Sequence, residues 1–446
     1  MLHSQTKTKL QTQILVIGGG PSGMTAAIAA ARNGATVVIA EQMDRVGKKL
    51  LATGNGRCNL SNTSIHIHNY HGKNVTAIQP IFNQYGSDFV IQFFKSLGLL
   101  IREEECGRLY PRTFQASTVL DVLRAELTSL NVSERCMREA VSIIKENDTF
   151  ITQFNTGECY HSEIVILTTG GMASPAFGSN GSGYKIMSAL GHSAIPPLPA
   201  LVQLKLQKEN IPGLKGIRIS AAMSLFYKRS NIENQLLYEE TGELLFTDYG
   251  ITGIPILNAS GYLVSTSATR SFYASKKSSD SSLWANHFYI MLDLFPELDH
   301  LFLKQYFLTR RDDIASRSLD QVFIGLLHKR LTIPLLKYAG IVYSNTKKIG
   351  ALTDAEIEKL ADVLKNWKHP LNGTLNFNSA QISNGGLFLD DFNLNSLESK
   401  KISGLYAAGE ILDVAGDCGG YNLHWSWVSG YIAGISSAKA LLRNDK

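Results

Sequence analysis

Cysteine is scarce in this chain, with five among 446 residues: Cys58, Cys106, Cys136, Cys159 and Cys418. The set is odd, scattered and free of any C-x-x-C spacing, which excludes a readable zinc knuckle and a dithiol redox pair. Buried free thiols are the expectation for Cys106, Cys136 and Cys159. Long hydrophobic runs are also missing. No stretch approaches the roughly 18 apolar residues of a membrane span, and the first thirteen residues are polar, without the apolar centre of a secretory signal. A cytoplasmic protein with no membrane partner is expected. Charge of one sign is in short supply too. The formal net charge is only +5, and the basic pairs Lys48-Lys49, Arg310-Arg311 and Lys347-Lys348 are scattered. No basic tract interleaves with aromatics, so no nucleic-acid partner is expected. His66, His68 and His71 mimic metal-ligand spacing but have no acid or cysteine beside them in sequence. A solvated polar loop is expected there, and no metal.

What is present is an ordinary soluble composition, 44% apolar and 18% charged. Its length exceeds what one core usually spans, so two or three domains are expected. The most informative stretch runs from Ile14 to Glu41. Residues 14–17 are an apolar strand leading into Gly18, Gly20 and Gly23, which fit G-x-G-x-x-G. Residues 24–31 are small or apolar, as a helix pressed on a sheet requires, and 36–40 read as the next parallel strand. That strand ends in Glu41, where a carboxylate accepts ribose hydroxyls. Strand, turn, helix, strand and acid together specify an ADP-binding βαβ unit.

Residues 1–195 read as the first part of an α/β nucleotide-binding domain, with a helix over 119–130 and a buried strand over 164–167. Pro196-Pro197-Leu198-Pro199 marks an exit. Residues 196–296 read as a β-rich insert, with short strands at 201–206, 222–227 and 288–294 and a serine-rich loop at 265–282. Residues 297–371 read as a helical subdomain, in which Thr353 and Glu356 fit a capping box. Residues 372–446 return to the nucleotide domain.

Three further segments turn a dinucleotide site into a flavin site. Residues 47–59 gather Lys49, Gly54, Gly56, Arg57, Cys58 and Asn59, where glycines admit a ligand and arginine offers a fork of donors. Thr169-Gly170-Gly171 ends the buried strand, where open α/β sheets bind ligands. Near the C-terminus, 405–408 read as a strand, followed by Gly409, Glu410 and Asp413. Gly419-Gly420 then open a helix running to about residue 442. The positive end of that helix suits the pyrimidine edge of an isoalloxazine, which becomes anionic on accepting hydride. A plain nicotinamide dehydrogenase has no use for this second segment.

Segments 18–23, 47–59, 169–171 and 404–430 together resemble the bacterial NAD(P)/FAD-dependent oxidoreductases that include aminoacetone oxidase-like and 3-dehydro-bile-acid reductase-like proteins. The resemblance covers essentially the whole chain and extends to 107–111 and 242–247. It implies a discontinuous Rossmann-like FAD-binding domain with a β-rich insert and a helical subdomain. Two positions depart from the family pattern: His424 and Asn55 stand where Gln and Gly are expected, and the imidazole of His424 is expected to bear on flavin-site protonation. The residues expected to bind FAD are Gly18, Gly20, Pro21, Ser22 and Gly23; Glu41 and Gln42; Lys49, Gly56, Arg57, Cys58 and Asn59; Thr169, Gly170 and Gly171; Gly409, Glu410 and Asp413; and Gly420, Tyr421 and Asn422.

The function expected is an FAD-dependent oxidoreductase acting on a small-molecule substrate. It would be reduced by NAD(P)H and pass hydride to an organic acceptor such as an enone or imine. Gly178, Gly181 and Gly183 do not form a second dinucleotide fingerprint, because Pro196-Pro197 follow where a strand and acid should be. A nicotinamide would therefore visit the flavin crevice transiently. Two alternatives stay open: an amine oxidase using oxygen, and an RNA-modifying factor with largely structural FAD. No catalytic side chain is assigned, although Cys58 and Cys418 lie in presumed flavin loops.

Overall fold

The computed structural model describes residues 10–228, 233–344 and 346–444. It divides into two compact units, one made of the chain up to Pro199 and from Phe377 onward, the other of Ala200–Asn376.

The first unit is built on β1 (Leu10–Ile17), α1 (Pro21–Arg32) and β2 (Val37–Ala40). It continues with α2 (Ala116–Ser129), β3 (Ser133–Arg135), β4 (Ala140–Glu146), β5 (Thr149–Phe154), β6 (Cys159–Leu167) and α3 (Ser182–Ala189). The chain returns to it through β7 (Leu405–Ala407) and α4 (Tyr421–Asn444). Strands β7, β6, β1, β2 and β3 lie side by side and all run parallel. Ile14 pairs with Val37 on one side and Ile164 on the other. Ile14, Leu15, Val16 and Ile17 are all buried, as continuous apolar runs must be in a parallel sheet covered on both faces. The β4–β5 hairpin adds to the sheet antiparallel to β6. Helix α4 packs on α1 at van der Waals limits: a Cβ at Gly430 would lie 2.3 Å from the Ser22 carbonyl oxygen, and one at Gly434 2.3 Å from that of Ala26. The small residues of α1 thus serve contact with a helix from the far end of the chain as well as with the sheet.

In the second unit six strands close into an antiparallel barrel, in the order Leu204–Leu206, Gly250–Thr252, Gln235–Phe246, Arg218–Tyr227, Phe288–Asp293 and Trp367–Thr374. Barrel residues such as Met223, Phe246, Leu292 and Trp367 share one core with Leu303, Phe307 and Leu360 of the helices. The capping box is present at Asp354–Lys365: Thr353 Oγ1 accepts from the Glu356 N–H, and the Glu356 carboxylate accepts from the Thr353 N–H.

The serine-rich stretch at 265–282 is not the loop expected. It holds a helix, Ser267–Ala274, N-capped by Thr266, and leads into another, Ser281–His287, N-capped by Asp280. Side chains that favour turns here serve as helix caps, where they satisfy orphan backbone N–H groups. A further helix, Ile254–Ser265, lies where a β-rich pattern was expected.

The thiols also depart from expectation. Cys106 is exposed, Cys136 and Cys159 are half-buried, and Cys58 is the one fully enclosed. Cys106 sits at φ +59 in the tight turn Glu105–Gly107 and Cys159 begins β6, so both lie at hairpin ends rather than in a core. Among the described residues no helix is long and apolar enough to cross a membrane, and no cluster of side chains could hold a metal ion.

Candidate functional site

The site lies in the first unit, where segments from both ends of the chain meet at the carboxyl ends of the parallel strands. Gly18 turns sharply at φ +105, and a Cβ there would lie 2.5 Å from the Thr168 carbonyl oxygen at the end of β6. A Cβ on Gly23 would lie 1.9 Å from the Gly18 carbonyl oxygen, so the turn closes only without side chains. Gly20 faces the other way: among the described residues, its chain neighbours aside, no atom comes within 4 Å of where its Cβ would be. Helix α1 begins there with Pro21 at its first position, no capping side chain and no acid in its first turn. Open space above uncapped N–H groups at a helix start is a ready anion site.

Glu41, at the end of β2, is buried and accepts from the N–H groups of Gly19 (2.7 Å) and Met43 (2.8 Å). Burial raises its pKa despite those hydrogen bonds. The amide of Gln42 donates to the Gly178 carbonyl and accepts from Asn180, so it braces the loop before α3.

Across the site, Lys49 Nζ pairs with Glu410 Oε2 at 2.8 Å, and Glu410 Oε1 accepts from the Ser383 N–H at 2.9 Å. Ser383 Oγ in turn accepts from the N–H groups of Met172 (2.8 Å) and Ala173 (3.2 Å), tying the Thr169-Gly170-Gly171 loop to the C-terminal segment. A Cβ on Gly171 would lie 2.7 Å from Glu410 Oε1, and one on Gly409 2.4 Å from Ser22 Oγ. Asp413 Oδ2 accepts from the Lys73 N–H at 2.7 Å. Gly420, at φ +102, brings its backbone onto Ser61, with Asn59 Oδ1 2.8 Å from a notional Cβ. Tyr421 opens α4, and its carbonyl accepts from the Tyr70 hydroxyl at 3.0 Å. The Asn422 side chain closes the preceding loop, donating to the Gly416 carbonyl (2.7 Å) and accepting from the Gly416 N–H (2.8 Å). Arg57 lies exposed over the Tyr110 ring, 5.4 Å from its centroid, beside Gly56 at φ +82. Cys58 is enclosed, and burial pushes its thiol up to about 12, which disfavours the nucleophilic thiolate.

The departure at His424 has a definite chemistry. Its Nε2 lies 3.0 Å from the Tyr85 carbonyl oxygen and its Nδ1 2.9 Å from Ser61 Oγ. A carbonyl only accepts, so the proton sits on Nε2 and Ser61 donates to Nδ1. Burial holds the pKa down at about 4. The imidazole is therefore neutral at ordinary pH, which corrects the expectation that it adjusts protonation at the site.

His71 also differs from the solvated loop expected. His66 and His68 are exposed and stacked on each other, but His71 Nε2 lies 2.7 Å from Asp417 Oδ1, an acid 346 positions away in sequence. Ser383, the His71–Asp417 pair and Tyr184 of α3 are the polar groups around this site that sequence reasoning did not find. The glycines at 178–183 were the one local signal for Tyr184.

Asn59 Oδ1 and Thr169 Oγ1 are both buried and lack any hydrogen-bond partner among the described residues. Buried polar atoms are rarely left so. With the open space over Gly20 and the buried carboxylate of Glu41, the polar, glycine-lined cradle fits a flavin dinucleotide.

The parallel sheet, the glycine turn and the second nucleotide-facing segment define a Rossmann-type flavoprotein, an FAD-dependent oxidoreductase. The chain belongs to the HI0933-like protein Rossmann domain family, which matches residues 12–436. It is 35% identical over 429 residues, 96% of this chain and 99% of the relative, to the 3-dehydro-bile acid delta(4,6)-reductase of Clostridium scindens. It is 26% identical over 420 residues, 94% of this chain and 96% of the relative, to the ribosomal RNA dihydrouridine synthase of Escherichia coli. A solved flavocytochrome c3 fumarate reductase aligns with 98% of this chain and 79% of its own at 16% identity, with a TM-score of 0.48.

Proposed function

We propose that this oxidoreductase takes a hydride from NAD(P)H and reduces a carbon–carbon double bond conjugated to a carbonyl in a small organic acceptor. The observation that carries the reading is the 35% identity, over nearly the whole chain, to a protein named for reducing a 3-dehydro-bile acid at delta(4,6). Unsaturation beside a 3-oxo group is such an acceptor. The relatives named for dihydrouridine have a product in which the same kind of bond is saturated. The substrates differ greatly in size and charge, but the bond reduced is of one type.

Bound FAD would relay the hydride between the two substrates. The chain's own residues would bind and orient. First-turn N–H groups of α1 would hold the pyrophosphate, and Glu41 would accept the adenosine ribose hydroxyls. The N-terminus of α4, with its Gly419-Gly420 approach, would stabilise negative charge on the pyrimidine edge. Lys49 and Glu410 would fix the two loops across the cofactor. In balance, NAD(P)H and one proton are consumed per acceptor: the β-carbon takes the hydride and the α-carbon the proton.

Anaerobic titration tests this. NADH or NADPH should bleach the yellow protein, and an enone should restore the colour without oxygen. Bleaching by an amine, with recovery only on admitting air, would replace this reading by the oxidase. An RNA-modifying role is the second reading, favoured by the two relatives at 26% identity. It would take over if uridine-containing RNA, and no small enone, reoxidised the reduced protein.

A further inference from the structure

Residues 178–184 carry three glycines for which the dinucleotide reading has no use. In the structure they let the start of α3 press onto the loop after β6. A Cβ on Gly183 would lie 2.0 Å from Thr169 Oγ1, and the Gly181 N–H donates to the Gly171 carbonyl at 3.2 Å. The next residue, Tyr184, is thereby set beside the site. Its hydroxyl is buried and has no hydrogen-bond partner among the described residues.

Neither neighbouring carboxylate takes that proton. Glu410 is occupied by Lys49 on one oxygen and by the Ser383 N–H on the other, and Asp413 Oδ2 holds the Lys73 N–H. Burial, reinforced by the Glu410 and Asp413 charges, pushes the phenol well above its ordinary pKa. Tyr184 therefore stays protonated and offers a donor. A phenol O–H near Glu410, whose two oxygens are both engaged, with an orphan Thr169 hydroxyl on the neighbouring loop, is a polar shelf that the described residues leave unfilled.

We propose that Tyr184 is a cofactor-contacting residue, whose hydroxyl donates a hydrogen bond to an acceptor atom of the bound flavin and, with Thr169 Oγ1, completes the flavin's polar surroundings. This rests on the FAD reading of the site. It makes a prediction with opposite signs in the two states of the protein. The hydroxyl is a liability in the apoprotein and an anchor in the loaded one.

The test compares wild type with Tyr184→Phe, using flavin fluorescence quenching for affinity and thermal melting of the apo and loaded proteins. The apo variant should melt at the same temperature as wild type or higher. Its Kd for FAD should rise about tenfold, as for one lost hydrogen bond, and its visible flavin band should shift. Thr169→Val, close in shape, should repeat the pattern. A Kd within twofold of wild type overturns the proposal. So does an apo melting temperature several degrees lower, since the hydroxyl would then serve the polypeptide. Wild-type protein that takes up no FAD would sink the flavin reading first, and this proposal with it.

Discussion

Lys49 and Glu410 stand 361 positions apart in the chain and 2.8 Å apart in space. The pair closes the site from both ends of the sequence, and its members are not equal. Among the described residues Lys49 pairs with Glu410 alone, whereas Glu410 also receives the Ser383 N–H, and through Ser383 it orders residues 172–173.

Replacing the two should therefore give different costs. Lys49→Met removes a partly exposed ion pair, and about 1 kcal/mol of stability should go with it. Glu410→Ala also strands the Ser383 N–H, so roughly 2–3 kcal/mol is expected. Urea unfolding of the two variants should rank them in that order. Equal losses, or the reverse order, would show that the carboxylate does not organise the loop.

Gly430 offers a test in which propensity and packing oppose each other. Alanine in a helix interior is favoured over glycine by about 1 kcal/mol. A methyl at Gly430, however, would lie 2.3 Å from the Ser22 carbonyl oxygen, a backbone atom that cannot turn aside. Gly430→Ala should thus destabilise by ~2 kcal/mol or more and loosen FAD, because it pushes α1 away from α4. A variant as stable as wild type would mean that the helices separate freely.

His424 gives a pH dependence with a definite sign. Its folded pKa is near 4 against an ordinary 6.5. Between those values the unfolded chain binds the extra proton, so the histidine contribution falls as pH drops from 6.5 to 4 and is constant above. The span corresponds to about 3 kcal/mol. Gln at this position can donate to the Tyr85 carbonyl and accept from Ser61 while carrying no titratable proton. The stability difference between His424→Gln and wild type should therefore change through that window in favour of the variant. A difference independent of pH would show that the imidazole is not buried neutral.

Thiol labelling should follow enclosure. Cys106 is exposed and should react first with a maleimide in the native protein, whereas Cys58, buried with its thiol near 12, should react only on unfolding. Peptide mapping after brief labelling reads this directly, and early modification of Cys58 would contradict the packing described.

Much of the nucleotide unit was legible because its signals are local. The apolar strand at 14–17, the glycines at 18, 20 and 23 and the carboxylate at 41 lie within one supersecondary unit, and each is demanded by the backbone beside it. The capping box at Thr353 and Glu356 is local in the same way. What escaped detection depends on pairing across hundreds of residues. Nothing near His71 announces Asp417, and nothing near Tyr184 announces Glu410, whose two oxygens are already engaged. The stretch at 265–282 misled for another reason: short polar side chains such as Thr266 and Asp280 favour turns but also cap helices, and only the following residues decide which.

Finally, the nucleotide unit is interrupted, and this has a consequence in time. During synthesis the carboxyl-terminal end of β6, Val165–Leu167, has no neighbour on one side until Leu405–Ala407 emerges, and α1 waits longer still for α4. Residues 200–376 leave the ribosome before either. Chains stalled once residue 376 has cleared the ribosomal exit tunnel, but before Leu405–Ala407 has, should accordingly shield their middle from protease while their amino-terminal part is still cut, and flavin uptake should begin only after the last helix is released.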